Sequence, residues 1–159
     1  MDWPTVRLPL YGGCLCGAIR YRLSSAPLLV YVCHCHDCQT RTGSAFSLNI
    51  LVQTGDLTVS GSVNAARRTT PKGREVEENG CPICGAFMLA HAVAAPDYTN
   101  LRAGTLDDAS WAIPIAQAYV SSAIPWAVIP GVPQLIRGGF NYAEMSEAWR
   151  ATAPRFAET

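Results

Sequence analysis

The chain has 159 residues, 49% of them hydrophobic, with twelve basic and twelve acidic side chains and a formal net charge of zero. That length carries one compact domain with a real core and is short for two, so residues 1–159 read as a single domain. Charge is sparse and balanced, which leaves no field to hold nucleic acid or an anionic membrane, and neither partner is expected.

Residues 1–4 lack the basic and apolar regions of a secretory signal. The apolar stretch 112–132 is interrupted by Pro114, Gln117, Ser121, Ser122, Pro125, Pro130 and Gly131, which is incompatible with an ordinary membrane span. A cytoplasmic protein is the expectation.

In chain order, Tyr11-Gly12-Gly13 ahead of Cys14 and Gly17 after Cys16 give a glycine-flanked turn, and the alternation over 18–23 predicts a strand. The apolar run 28–32 predicts a second strand ending at Cys33. A short polar turn or helix over 37–42 should stop at Gly43. Strands follow over 45–53 and 57–60. Residues 64–79 are the most charged of the chain: Arg67, Arg68, Lys72 and Arg74 are offset by Glu75, Glu77 and Glu78, which predicts a solvated loop or hairpin. An apolar segment over 86–93 follows the Cys81 turn, 100–103 leads into Gly104, 117–120 reads as one further strand, and 141–156 has a weak helical pattern. Short strands punctuated by Gly and Pro predict a mainly β domain of antiparallel sheets with little helix.

Seven cysteines are an odd number for a disulfide framework, and their spacing carries more than their count. They fall as Cys14-x-Cys16, Cys33-x-Cys35-x-x-Cys38 and Cys81-x-x-Cys84. Structural zinc takes four tetrahedral ligands, and thiolates on two tight turns deliver them well. Cys81 and Cys84 form one half-site, and Cys14 and Cys16 are the natural partners that close it. The remaining Cys33, Cys35 and Cys38 can face one metal from a single turn with a fourth position open, as in catalytic zinc sites. Three thiolates leave zinc a weak Lewis acid, which suits capture of a soft external thiol better than activation of water.

Other readings stay open at this point. His34 or His36 could close the second site, or the thiols could share one site or stay reduced and buried. His91 reads as a packed or surface histidine. Asp107 and Asp108 fit a turn or cap better than acid–base chemistry, and Trp111, Tyr119 and Trp126 read as core more readily than as pocket lining.

These motifs resemble the glutathione-dependent formaldehyde-activating enzyme family, which includes centromere protein V-like members. The matching stretches are Gly12-Gly13-Cys14-Leu15-Cys16-Gly17-Ala18-Ile19-Arg20-Tyr21, Cys33-His34-Cys35-His36-Asp37-Cys38-Gln39 with Thr42-Gly43-Ser44, and Cys81-Pro82-Ile83-Cys84-Gly85. Gly104-Thr105-Leu106-Asp107-Asp108 and Ser121-Ser122 with Trp126 extend the likeness, so it spans about residues 12–126 and leaves 127–159 as a C-terminal extension.

The resemblance implies a zinc-binding fold of the Mss4-like type with two Zn2+ per chain. Cys14, Cys16, Cys81 and Cys84 would hold the structural zinc, and Cys33, Cys35 and Cys38 the catalytic one. It also implies a carbon–sulfur lyase of the S-(hydroxymethyl)glutathione synthase type, with glutathione as co-substrate and formaldehyde as the small aldehyde. Two positions depart from the family pattern: Gly80 replaces an aromatic residue, and Gln117 stands where several relatives carry histidine. The alternative from another class is a non-catalytic zinc-binding protein-interaction module, which predicts that a histidine closes the second site. No side chain reads from the sequence as a carboxylate clamp for a tripeptide, and the oligomeric state is left open.

Overall fold

The computed structural model describes residues 5–135, 137–138 and 141–158, so the signal-peptide reading of residues 1–4 falls outside the described residues. The described residues form thirteen strands and two α-helices. The strands are β1 (Val6–Leu8), β2 (Leu10–Gly13), β3 (Arg20–Leu23), β4 (Leu29–Cys33), β5 (Ser47–Gln53), β6 (Leu57–Ser60), β7 (Asn64–Thr69), β8 (Glu75–Gly80), β9 (Phe87–Ala92), β10 (Tyr98–Arg102), β11 (Gln117–Ala118), β12 (Gln134–Leu135) and β13 (Phe156–Glu158). The helices are α1 (His36–Thr42), between β4 and β5, and α2 (Tyr142–Thr152), between β12 and β13. This is the mainly β fold that the sequence predicts.

Eight strands form one sheet in the order β12-β11-β4-β5-β10-β9-β8-β7, and β2-β3-β6 form a second. Both are antiparallel except where β11 pairs in parallel with β4 and β12; β1 and β13 make a separate parallel pair. The pattern of each strand follows from what covers it. Every residue of β4 is buried, as expected for its uninterrupted Leu-Val-Tyr-Val-Cys run. In β3, Tyr21 and Leu23 face inward while Arg20 and Arg22 face out. Leu29, Val30, Val32, Ile50, Leu51, Met88 and Leu101 are 0–1% exposed and form the heart of the core. Each such side chain contributes about 1.5–3 kcal/mol of transfer free energy.

Three local readings gain different boundaries. The glycine-flanked turn forms over residues 14–17, where the Gly17 N–H donates to the Cys14 carbonyl (3.1 Å), and Leu10–Gly13 ahead of it form strand β2, with Gly12 and Gly13 paired to Tyr21 and Arg20 of β3. The strand predicted over 117–120 stops at Ala118, since Tyr119 adopts a left-handed conformation (φ 56°) and the chain enters a short 3-10 turn. The helical tail ends at Thr152, and Phe156 belongs to a strand beside β1. The C-terminal stretch is no loose appendage: Trp149 of α2 is 2% exposed within the same core as Ile50 and Leu101.

Candidate metal centres and an adjoining cavity

Two loops build the first centre. In the second of them, the backbone N–H of Gly85 donates to the Cys81 carbonyl (3.0 Å) and that of Cys81 to Ala86 (2.9 Å), a tight turn that aims both thiols one way. The Cys84 N–H also points at the Cys81 sulfur (3.5 Å), and the Ile19 N–H at the Cys14 sulfur (3.2 Å). Cys14, Cys16, Cys81 and Cys84 thereby place four sulfurs within 4.8 Å of one another, joining the start of the chain to its middle. The backbone N–H groups of Ala86 and Cys16 pull the Cys84 thiol down to about 6, toward the thiolate that a metal requires. Gly80 has a local reason to lack a side chain: a Cβ there would meet the Ala86 carbonyl oxygen at 3.0 Å.

The second centre forms where β4 runs into α1. Cys35 is the N-cap, its sulfur accepting from the Cys38 N–H (3.4 Å), and Gly43 ends the helix in the left-handed conformation (φ 61°). Cys33, Cys35 and Cys38 lie within 4.8 Å of one another. Hydrogen bonds from Cys33 and Cys35 hold the Cys38 thiol well below its ordinary value, helped by Ser47 and Arg102, while Cys33 is pushed up.

Both centres fit zinc by donor and by spacing. Four ligands at zinc–thiolate bond length have an edge of about 3.8 Å. The sulfur separations are 3.6 Å for Cys14–Cys16, 3.7 Å for Cys16–Cys81 and 3.4 Å for Cys33–Cys35.

Neither His34 nor His36 joins the three-cysteine cluster. His34 is fully buried, its Nε2 bonded to Gln117 Oε1 (3.1 Å) and its ring edge-on to Phe46. Gln117 is also fully buried and structural. Its amide donates to the carbonyls of Ile129 (2.9 Å) and Val132 (3.1 Å) and accepts from the Ile129 N–H (2.8 Å).

A cavity of about 520 Å3 opens over the three cysteines. Its floor carries Tyr31, Asn49, Asn100 and Arg102 from β4, β5 and β10; the β7–β8 hairpin supplies Arg68, Lys72 and Arg74; Tyr119, Ser122 and Tyr142 complete the rim. Arg68 is paired with Asp37 and Glu78, whereas Lys72, Arg74 and Arg102 have no carboxylate partner among the described residues. Arg102 donates to Ser47 (3.0 Å) and contacts Asn49, and its Nε is buried without a hydrogen bond.

The expected hairpin over 64–79 forms as β7 and β8 and is largely exposed, but Val76 and Glu78 are buried and one side of it walls the cavity. The hairpin cations are near neighbours in the sequence, but their position over the three cysteines follows from the pairing of β7 with β8 and of β8 with β9. Tyr119 and His91 also line the cavity. Trp111 is core as expected, but Trp126 is 79% exposed. Asp107 lies away from the cavity, paired with Arg20 (2.9 Å), and Asp108 caps the Ser110 N–H (2.9 Å).

Among the described residues no helix is long and apolar enough to cross a membrane. No curated protein matches the chain significantly. A crystal structure of a Rhodobacter sphaeroides protein is similar in fold at a TM-score of 0.50 and 17% identity, covering 79% of this chain and 99% of that one. The model of the glutathione-dependent formaldehyde-activating enzyme family matches residues 9–122. The chain therefore belongs to the glutathione-dependent formaldehyde-activating enzyme family.

Proposed function

We propose that the protein is a cytoplasmic, zinc-dependent carbon–sulfur lyase or synthase that joins glutathione to a small aldehyde such as formaldehyde. Two zinc ions per chain are part of this reading, one on Cys14, Cys16, Cys81 and Cys84 and one on Cys33, Cys35 and Cys38. The observation that carries it is the three-cysteine cluster in the floor of a cation-lined cavity.

The addition is balanced without a further reactant: the sulfur–carbon bond forms, the carbonyl π bond breaks, and the thiol proton ends on the new hydroxyl. Zinc on Cys33, Cys35 and Cys38 would supply the acidity that keeps a small thiol deprotonated near neutral pH. The chain's own part is to hold the reactants. Lys72, Arg74 and Arg102 match the two carboxylates of glutathione, and charge-assisted bonds of this kind are strong when shielded from water. Holding thiol and aldehyde together then supplies the rate gain by proximity. Thiols kept for metal binding suit a reducing cytoplasm. His34 facing Gln117 weighs against the closed-site interaction module.

The test is exchange spectroscopy by NMR on glutathione and labelled formaldehyde, with and without zinc-loaded protein. Faster exchange supports the reading; an unchanged rate rejects the formaldehyde assignment.

A further inference from the structure

Helix α1 carries Cys38 and is capped by Cys35, yet none of its seven residues is buried. Cys35 and Cys38 pack part-buried against the core, and polar ties hold the rest of the helix. Gln39 provides two of them, donating to the carbonyls of His34 (2.6 Å) and Ser122 (2.9 Å).

The others converge on one buried carboxylate. Glu78 of β8 forms an ion pair with Arg41 Nε (2.8 Å) and accepts a hydrogen bond from Arg68 Nε (3.0 Å), and Arg68 Nη1 reaches on to Asp37 Oδ2 (2.5 Å). Asp37 and Arg41 stand four apart on α1, so they share a face and bracket the turn that holds Cys38. Arg41 also lies over the Phe87 ring, 4.6 Å from its centroid, and Arg102 lies over the same ring at 4.3 Å. Glu78 is 3% exposed while the two arginine side chains keep 30–40%, so the network has one interior anchor. Removing the anchor's charge leaves Arg41 without a carboxylate among the described residues and Arg68 with Asp37 alone, a larger disturbance than loss of an exposed pair.

We propose that Glu78 is a positioning residue for the three-cysteine centre. Through Arg41 and Arg68 its carboxylate fixes α1, and with it the placement of Cys38 against Cys33 and Cys35. The inference rests on the reading that this cluster holds a metal. It separates the two centres, because Cys81 is placed by the bonds of its own turn and by a break in register at Asn79 and Gly80.

The test is titration of reduced, metal-free, full-length protein with cobalt(II). Thiolate charge-transfer and d–d absorption are followed, with Cys35→Ser as the spectrum of the four-cysteine centre alone. Glu78→Gln should weaken the three-cysteine cobalt by about 10–100-fold, the range typical of outer-shell partners, and leave the other affinity close to that of the parent. Asp37→Asn removes only the outer tie and should give a smaller selective loss.

Equal second-cobalt affinity in parent and Glu78→Gln overturns the proposal, as does equal weakening of both centres. Should Glu78→Gln fail to fold, Asp37→Asn decides by the same criterion. A parent that takes up one cobalt overturns the metal reading together with this one. A parent that takes up two, with a Glu78→Gln variant that is unaffected, overturns this one alone.

Discussion

His34 Nε2 donates to Gln117 Oε1 across 3.1 Å in the interior, which turns the histidine away from the sulfurs of Cys33 and Cys35 on either side of it. The direction of the bond follows from the other partners of Gln117. Its nitrogen already donates to two carbonyls, so its oxygen is the acceptor for both the Ile129 N–H and His34. Gln117→Ala strands several buried groups, and at about 1–3 kcal/mol for each unsatisfied group a loss near 3 kcal/mol is expected by urea denaturation. Metal content should be unchanged. Loss of one metal equivalent from His34→Ala or Gln117→Ala would instead make His34 a ligand.

The two cysteine clusters predict different consequences of similar substitutions. Cys84→Ser removes one of the four thiols that join the two loops, and if they hold a metal it should abolish the cooperative unfolding transition. Cys35→Ser should cost one metal equivalent and leave that transition in place. Metal analysis with circular dichroism checks both, and equal destabilisation would contradict the division.

Lys72 and Arg74 line the cavity from the turn of the β7–β8 hairpin without a carboxylate partner among the described residues. Reversing either charge should raise KM for glutathione by about tenfold, the equivalent of one charge-assisted hydrogen bond. The KM for a neutral thiol such as 2-mercaptoethanol should stay the same, and a parallel rise for both thiols would remove these residues from carboxylate recognition.

Burial pushes the Tyr21 hydroxyl from its ordinary value of 10 up to about 12, against the opposing influence of its hydrogen bond to Thr105. A raised value means that the folded state holds the proton more tightly. The associated stability is complete below pH 10 and is lost as pH rises toward about 12. The urea midpoint should fall across that window, and Tyr21→Phe should flatten the fall; an unchanged slope in the variant would assign it to other groups.

Both cysteine clusters were legible in the sequence because thiols on tight turns are local neighbours: Cys81-x-x-Cys84 and Cys33-x-Cys35-x-x-Cys38 each fit one turn. Strands β3, β4 and β5 were legible through alternation or an unbroken apolar run. What stayed hidden depends on pairing between distant segments. Nothing near Glu78 marks it as buried until Arg41 and Arg68 arrive from two other elements. Strand β2, with its two glycines, has no β pattern of its own and exists through its register with β3. Trp149 falls in a weakly patterned tail and is buried all the same; Trp149→Ala should cost about 3–5 kcal/mol in a denaturation experiment.

Exchange spectroscopy on the zinc-loaded parent beside Cys35→Ser tests whether thiol and aldehyde are joined at the three-cysteine cluster. The parent should accelerate glutathione–formaldehyde exchange and Cys35→Ser should give the uncatalysed rate, while the variant keeps its fold and the metal of the four-cysteine centre. Equal acceleration by both proteins, or by neither, would contradict that assignment.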